Sequence, residues 1–377
     1  MLRRFPWKFA LVALLLPLIG CAPQAQRPFG PGPGVTAWNT GAQQAGPRVR
    51  VGLLLPLTGP NAPLGQAMLN AAQMALFDQG DRRVEVVPRD TRGSPAGAAE
   101  AARGLIGSGV TSLAGPLTLS ETAAVVNVAR GANVPVFAFT SDESQAGPQV
   151  WVLGLTPGQQ VRRIATAARE AGVSRFAMIA PDDAFGQRLA AALRDAVGQM
   201  GGPPPTIVMT PARATDFSGA AQQVAAASPE AVLIGHGPAG SRAAAQALAA
   251  AFPSGAPRLL GTALWSNDGT VGNEPALAGA WFPAPDPDAR SRFESQYSAA
   301  FGERPSRLAG VAYDALALAA RSARDGGPPV GSAFMGADGP VRLLANGGLA
   351  RGLAVFAVRP GESQVVQPAP VPGAAGS

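Results

Sequence analysis

With 377 residues, 47% of them hydrophobic, the chain is too long for one small domain and apolar enough for two cores of about 150 residues each. Its charge of +6 and pI near 10.7 do not signal a nucleic-acid binder: Lys8 is the only lysine, so nearly all the basic residues are arginine, and a small excess of arginine alone lifts the pI. No basic run exceeds two residues, so the charges read as a solvated surface rather than a nucleic-acid site, and the single cysteine, Cys21, excludes an internal disulfide.

Arg3, Arg4 and Lys8 precede an apolar stretch of 12 residues, Phe9 to Gly20. That pattern is a signal segment, too short for a bilayer core that takes about 20 residues. Leu18-Ile19-Gly20-Cys21 resembles the lipobox of bacterial lipoproteins, which implies a signal peptide over 1–20 and a lipid on Cys21 holding the mature chain at a membrane surface. Ala22, where an aspartate would favour retention, implies the outer membrane by the same resemblance. Loss of 1–20 removes Arg3, Arg4 and Lys8 and leaves 27 basic against 24 acidic residues. Residues 21–47, rich in Pro, Gly, Gln and Ala without hydrophobic periodicity, read as a tether.

The first folded unit is a strand, loop and helix within 49–75. Val51, Leu53, Leu54, Leu55 and Leu57 form an apolar run suited to a strand buried on both faces. Gly59, Pro60 and Asn61 break it, and Leu64, Met68, Ala71 and Ala75 recur at helical spacing. In an open α/β sheet, ligands bind beyond the carboxyl ends of the strands, so the loop 58–61 is the first place to look for function.

Strand and helix then alternate. Strands are expected at 84–88, 111–115 and 134–139, with helices at 96–107 and 120–132 between them. A crossing strand at 151–155 leads to a helix at Pro157, where Thr156 and Gln159 are spaced as a capping box. A second alternation follows: strands at 176–180, 207–210, 231–234 and 259–262, with helices at 185–197, 217–227 and 242–251. Helices at 287–301 and 306–324 come next, then strands at 341–344 and 353–358 around the turn signal Asn346-Gly347-Gly348. Residues 361–377 read as a disordered tail.

LLLPLTGPNAPLGQAMLNAAQMAL resembles the opening of the type I periplasmic binding proteins, the group of the leucine/isoleucine/valine receptors of ABC importers. AGPLTLSETAAV, VPVFAFTSD and PDDAFGQRLAAALRDAV follow in the order of that group, and the resemblance covers about 48–330. Within it, LLGTALWSND, GAWFPAPDP, RLAGVAYDALALAA and FMGADGPVRLLANGGLARGLAVFAV look most like the penicillin-binding protein activator lipoproteins. The resemblance implies two doubly wound α/β lobes: 48–152 with 284–330, and 153–283 with 331–360. They would be joined by crossings near 151–155, 280–285 and 330–342, with a ligand closed between them by hinge rotation.

The same resemblance implies cleft residues. A carboxylate-binding hydroxyl is expected near Leu119, which has none, although Thr118 and Ser120 flank it; Thr118 with Glu121 equally fits a capping box. Thr140 and Ser141 fall at the next hydroxyl position, beside Asp142, which would repel a carboxylate. Asn61 lies on the first loop, Phe185 aligns with an aromatic that covers the ligand, and His236, the only histidine, sits near another aromatic position. Core packing or a satisfied turn accounts equally well for several of these. Thr262-Ala263-Leu264-Trp265 lacks the acid that would pair with a ligand ammonium; Asp268 lies beyond, and Trp265 could stack on a sugar or an apolar group.

No G-x-S-x-G surrounds any serine, no cysteine follows Cys21, no histidine pair exists and no P-loop is present. The expected protein is therefore non-enzymatic, without catalytic residues, metal or cofactor. Two partners are consistent with the resemblance: a peptidoglycan synthase, contacted as a regulator, or an ABC permease supplied with an amino acid, amide or small peptide. A small polar ligand between the lobes and a periplasmic, lipid-anchored location go with either.

Overall fold

The computed structural model describes residues 48–373, except 254 and 268. The signal segment, Cys21, the tether and Asp268 lie outside the described residues. The chain opens with β1 (Val49–Leu55), α1 (Ala62–Gln79), β2 (Val84–Asp90), α2 (Pro95–Gly107), β3 (Ser112–Ala114), α3 (Leu119–Ala132), β4 (Val136–Ala138) and β5 (Val150–Val152). These strands make one parallel sheet in the order β2-β1-β3-β4-β5.

It continues through α4 (Pro157–Glu170), β6 (Phe176–Pro181), α5 (Ala184–Gln199), β7 (Thr206–Thr210), α6 (Ser218–Ala226), β8 (Ala231–Ile234), α7 (Pro238–Ala251), β9 (Arg258–Leu260) and β10 (Trp281–Ala284). Next come α8 (Pro287–Phe301), α9 (Ala309–Asp325), β11 (Ala333–Gly336), β12 (Gly339–Leu343), β13 (Leu349–Arg351), β14 (Ala354–Ala357) and β15 (Gln364–Gln367). The second sheet runs β15-β14-β10-β9-β8-β6-β7, antiparallel only where β14 and β15 join it.

Both sheets are covered on both faces, for a reason visible in β1. Successive side chains point to opposite faces. Val51, Leu53 and Leu55 pack with Met68 and Ala72 of α1 and Ala315 and Ala319 of α9, whereas Leu54 packs with Ala102 and Leu105 of α2 and Val125 and Ala129 of α3. The second sheet repeats the arrangement: Ala177, Ile179, Val232 and Ile234 face α6 and α7, and Met178, Ala180 and Leu233 face α4 and α5. This is the doubly wound α/β architecture expected of two lobes.

Two corrections arise near the end of the chain. Residues 333–351 form a three-stranded antiparallel sheet, β11-β12-β13, rather than passing directly to the second lobe. Val341, Leu343 and Leu349 are buried in the same core as β1 and α9, so the chain reaches the second sheet only at Ala354, past the passage expected at 330–342. The Asn346-Gly347-Gly348 turn therefore joins β12 to β13, not to the strand at 354–357. Residues 361–377 are also not wholly a tail: Gln364–Gln367 pairs with β14, and Arg163 donates to Gln367 Oε1 at 2.9 Å and to the Pro368 carbonyl at 3.2 Å.

Five contacts gather the three passages between the sheets around one ionic group. Asp314, on α9 and fully buried, accepts from the Ala337 amide at 2.7 Å and lies 3.5 Å from Arg351. Arg351 donates to the Leu153 carbonyl at 3.0 Å, at the first passage. Asp338 pairs with Arg290 at 3.0 Å, and its carbonyl accepts from the Asp286 amide at 3.0 Å, at the second. Arg351 itself begins the third.

Candidate functional site

The loops at the carboxyl ends of the first sheet are held by carboxylates, half-buried at Asp90 and buried at Glu121 and Asp142. Asp90 Oδ1 accepts from the Leu57, Thr58 and Arg92 amides at 2.9, 3.3 and 2.8 Å, and Oδ2 accepts from the Thr58 hydroxyl at 2.6 Å. Desolvation works against its charge, but the bonds from Thr58, Arg92 and Leu57 outweigh it and hold the carboxyl below its usual range. Asn61, at the N-cap of α1, is exposed and makes no side-chain bond to the helix.

Thr118 caps α3 in a complete capping box. Its hydroxyl and amide donate to Glu121 at 2.7 and 2.9 Å, and the Thr91 hydroxyl donates to the other Glu121 oxygen at 2.6 Å. Glu121 is fully buried. Glu121→Ala is thus expected to strand three donors and cost about 2 kcal/mol, measurable as a lower urea midpoint. Ser120 remains exposed, 3.4 Å from Thr118 Oγ1.

After β4, the buried Thr140 hydroxyl accepts from the Asp142 amide at 3.1 Å, and Ser141 is exposed. Asp142 accepts from the Ser144 amide at 3.0 Å and pairs with Arg188 of α5 at 2.5 Å. This ion pair spans the two lobes. Neither composition nor spacing announced it, because its members are far apart in sequence and belong to different sheets.

In the second lobe Asp183 caps α5, accepting from the Gly186 amide at 2.9 Å. Phe185, half-buried, packs on the cluster formed by α4, β6 and α5. His236 is buried, with Nε2 2.8 Å from Thr210 Oγ1 and its ring edge-on to Phe217 at 4.9 Å. Desolvation lowers its pKa, against the pull of Asp183 and the Ala180 backbone, so the imidazole is neutral at neutral pH. Ser241 donates to the His236 carbonyl at 2.8 Å and accepts from Trp265 Nε1 at 3.0 Å.

Trp265 is 2% exposed, lodged against Gly261, where a Cβ would stand 2.3 Å from the indole. The structure therefore joins His236 to Trp265 through Ser241 inside the core. It leaves Asn61, Ser120, Ser141 and the flank of Phe185 at the strand ends. Among the described residues no group of three His, Cys, Asp or Glu side chains could hold a metal, and no helix is long and apolar enough to cross a membrane.

No curated protein sequence matches the chain. Several solved structures share its fold. A Rhodospirillum rubrum protein provisionally described as a branched-chain amino acid ABC transporter superimposes with a TM-score of 0.76 at 20% identity, covering 85% of this chain and 100% of that one. LpoA from Haemophilus influenzae gives 0.70 at 18% identity over 85% of this chain, which spans 59% of LpoA. The leucine-binding protein LivK of Thermotoga maritima gives 0.58 at 19% identity, over 86% of this chain and 99% of that one. Residues 48–338 match the periplasmic binding protein family, and with two doubly wound lobes underlying that match, the chain belongs to this family in its type I form.

Proposed function

We propose that the chain is a non-enzymatic binding protein, anchored outside the cytoplasm by lipid at Cys21, that regulates a peptidoglycan synthase of the penicillin-binding class by direct contact. The observation that carries this reading is the Asp142–Arg188 pair. It puts a carboxylate beside the Thr140–Ser141 position, where the resemblance expects the carboxylate of an amino-acid ligand, and closes it onto the opposite lobe. A free amino acid would meet like charge there and find no acid in 262–265 for its ammonium, so its charges would be buried unpaired. The resemblance of the late segments to the penicillin-binding protein activators and the fold likeness to LpoA support the same reading.

The test is a pull-down with a bifunctional penicillin-binding protein, followed by glycan polymerisation and peptide cross-linking assays with and without the mature chain. Specific capture and a severalfold rate change are expected; no capture and no change would overturn the reading.

A second reading, a solute receptor delivering to an ABC permease, draws on the exposed Ser120 and Ser141 at the strand ends and on fold neighbours named as transporter proteins. A thermal-shift screen across amino acids, amides, small peptides and aromatic acids separates the two. One compound raising Tm by several degrees, as tight binding requires, favours the receptor.

A further inference from the structure

Beside the end of β5, a groove of about 730 Å³ runs between α4, the C-terminal half of α5, the β12–β13 hairpin and the segment 370–373. Four arginines line it: Arg162, Arg163, Arg342 and Arg351. Glu143 is the sole acid among its lining residues, and that carboxylate already accepts from the Thr156 hydroxyl. Even with Arg351 offset by Asp314 behind it, the lining carries more positive than negative charge.

The four guanidinium groups are not equivalent. Arg163 is consumed by structure, donating to the Leu353 carbonyl at 2.7 Å as well as to Gln367 and Pro368. Arg351 binds Asp314 and the Leu153 carbonyl, yet its Nε is buried and without a partner. Arg342 is half-buried, and its Nε is likewise shut from solvent and unpaired. Arg162 is exposed, and among the described residues neither it nor Arg342 has an acidic partner. Cationic donors withdrawn from water without an acceptor are a cost that the fold itself does not explain.

We propose that this groove is a binding site for a small polyanion, a molecule carrying at least two carboxylate or phosphate groups on a compact frame. Arg162 and Arg342 supply the fork-shaped donors that match such groups, while Arg351, paired with Asp314, adds little net charge to the wall. Val152, Met200 and Leu349 provide apolar surface for the frame, and the volume is that of an ordinary small-molecule site. Arg162 and Met200 belong to the second lobe and Val152 and Arg342 to the first, so an occupant braces both against rotation.

Isothermal titration of the mature chain at low salt with pyrophosphate, and separately with citrate, tests the site and distinguishes phosphate from carboxylate preference. Saturable binding of one equivalent with Kd below about 1 mM is expected, weakened about tenfold or more in R162E and in the double variant R162A/R342A. R292A, which removes one exposed charge from α8 instead, should bind like the parent. Arg162 is exposed, so R162E keeps the test valid should the double variant fail to fold. No saturable heat with either anion, or equal affinity in R162E and the parent, would overturn the proposal.

Discussion

Asp314→Ala is expected to destabilise the folded chain by about 3–5 kcal/mol, because it leaves Arg351, whose side chain is 2% exposed, facing only Asp338 at 4.0 Å. The loss should appear as a lower urea midpoint, and it should be larger than that of any exposed arginine–carboxylate pair such as Arg92–Glu100. The pH dependence sharpens the test. Burial is the largest influence on Asp314, and with Asp338 nearby it outweighs Arg351 and lifts the carboxyl to about 7, above its unfolded value near 3.8. A carboxyl raised on folding favours the folded state when protonated. Its contribution is thus complete below about pH 4 and is lost as pH rises through about 7. Asp314→Asn keeps an acceptor for the Ala337 amide and cannot titrate. Its stability should lack the decline between pH 4 and 7 that this group gives the parent, a difference read from Tm measured at each pH.

Gly186→Ala is the second large effect. A Cβ at this position would stand 1.8 Å from the Pro181 carbonyl oxygen, backbone that cannot rotate aside. The first turn of α5 would have to leave the end of β6, loosening the Asp183 cap with it, at a cost of about 3 kcal/mol. The same device recurs where α1 and α2 leave their strands: Gly65 would meet the Pro56 carbonyl at 2.1 Å and Gly97 the Thr91 carbonyl at 2.2 Å. Gly104, inside α2 with nothing within 4 Å, is the control; Gly104→Ala should stabilise by about 0.5–1 kcal/mol. Opposite signs for G186A and G104A in urea melts would show that close approach, not helix propensity, decides.

These glycines also mark how far the fold could be read in advance. The helix at 287–301 and the capping boxes of Thr118 and Thr156 are local patterns, and the structure carries them as read. Nothing local says that Gly186 faces a carbonyl, because that contact depends on how closely a helix settles on its strand. The passage to the second lobe was misplaced for a similar reason. Val341, Leu343 and Leu349 alternate as any half-buried strand would, and only their packing on α9 assigns them to the first lobe.

Of the candidate site, the hydroxyl-bearing loops were legible, but not the use made of them. Thr118 and Thr140 spend their hydroxyls on Glu121 and on the Asp142 amide, and His236 and Trp265 are drawn into the core through Ser241. The first three of these bonds are local, spanning two to five residues, whereas the Ser241–Trp265 bond joins residues that only the tertiary structure brings together. The arginine groove went unread because its walls come from both lobes.

The short strand at Gln364–Gln367 has a practical side. It is the outer margin of the seven-stranded sheet, and Val355, Phe356 and Ala357 present their main-chain groups to it. A recombinant chain stopped at residue 360 would leave β14 as an open edge, with unpaired amides and carbonyls free to recruit a neighbouring molecule. Such a truncation should yield soluble aggregates by light scattering, while the chain ending at 377 stays dispersed. Affinity tags are accordingly better joined beyond that margin than in place of it.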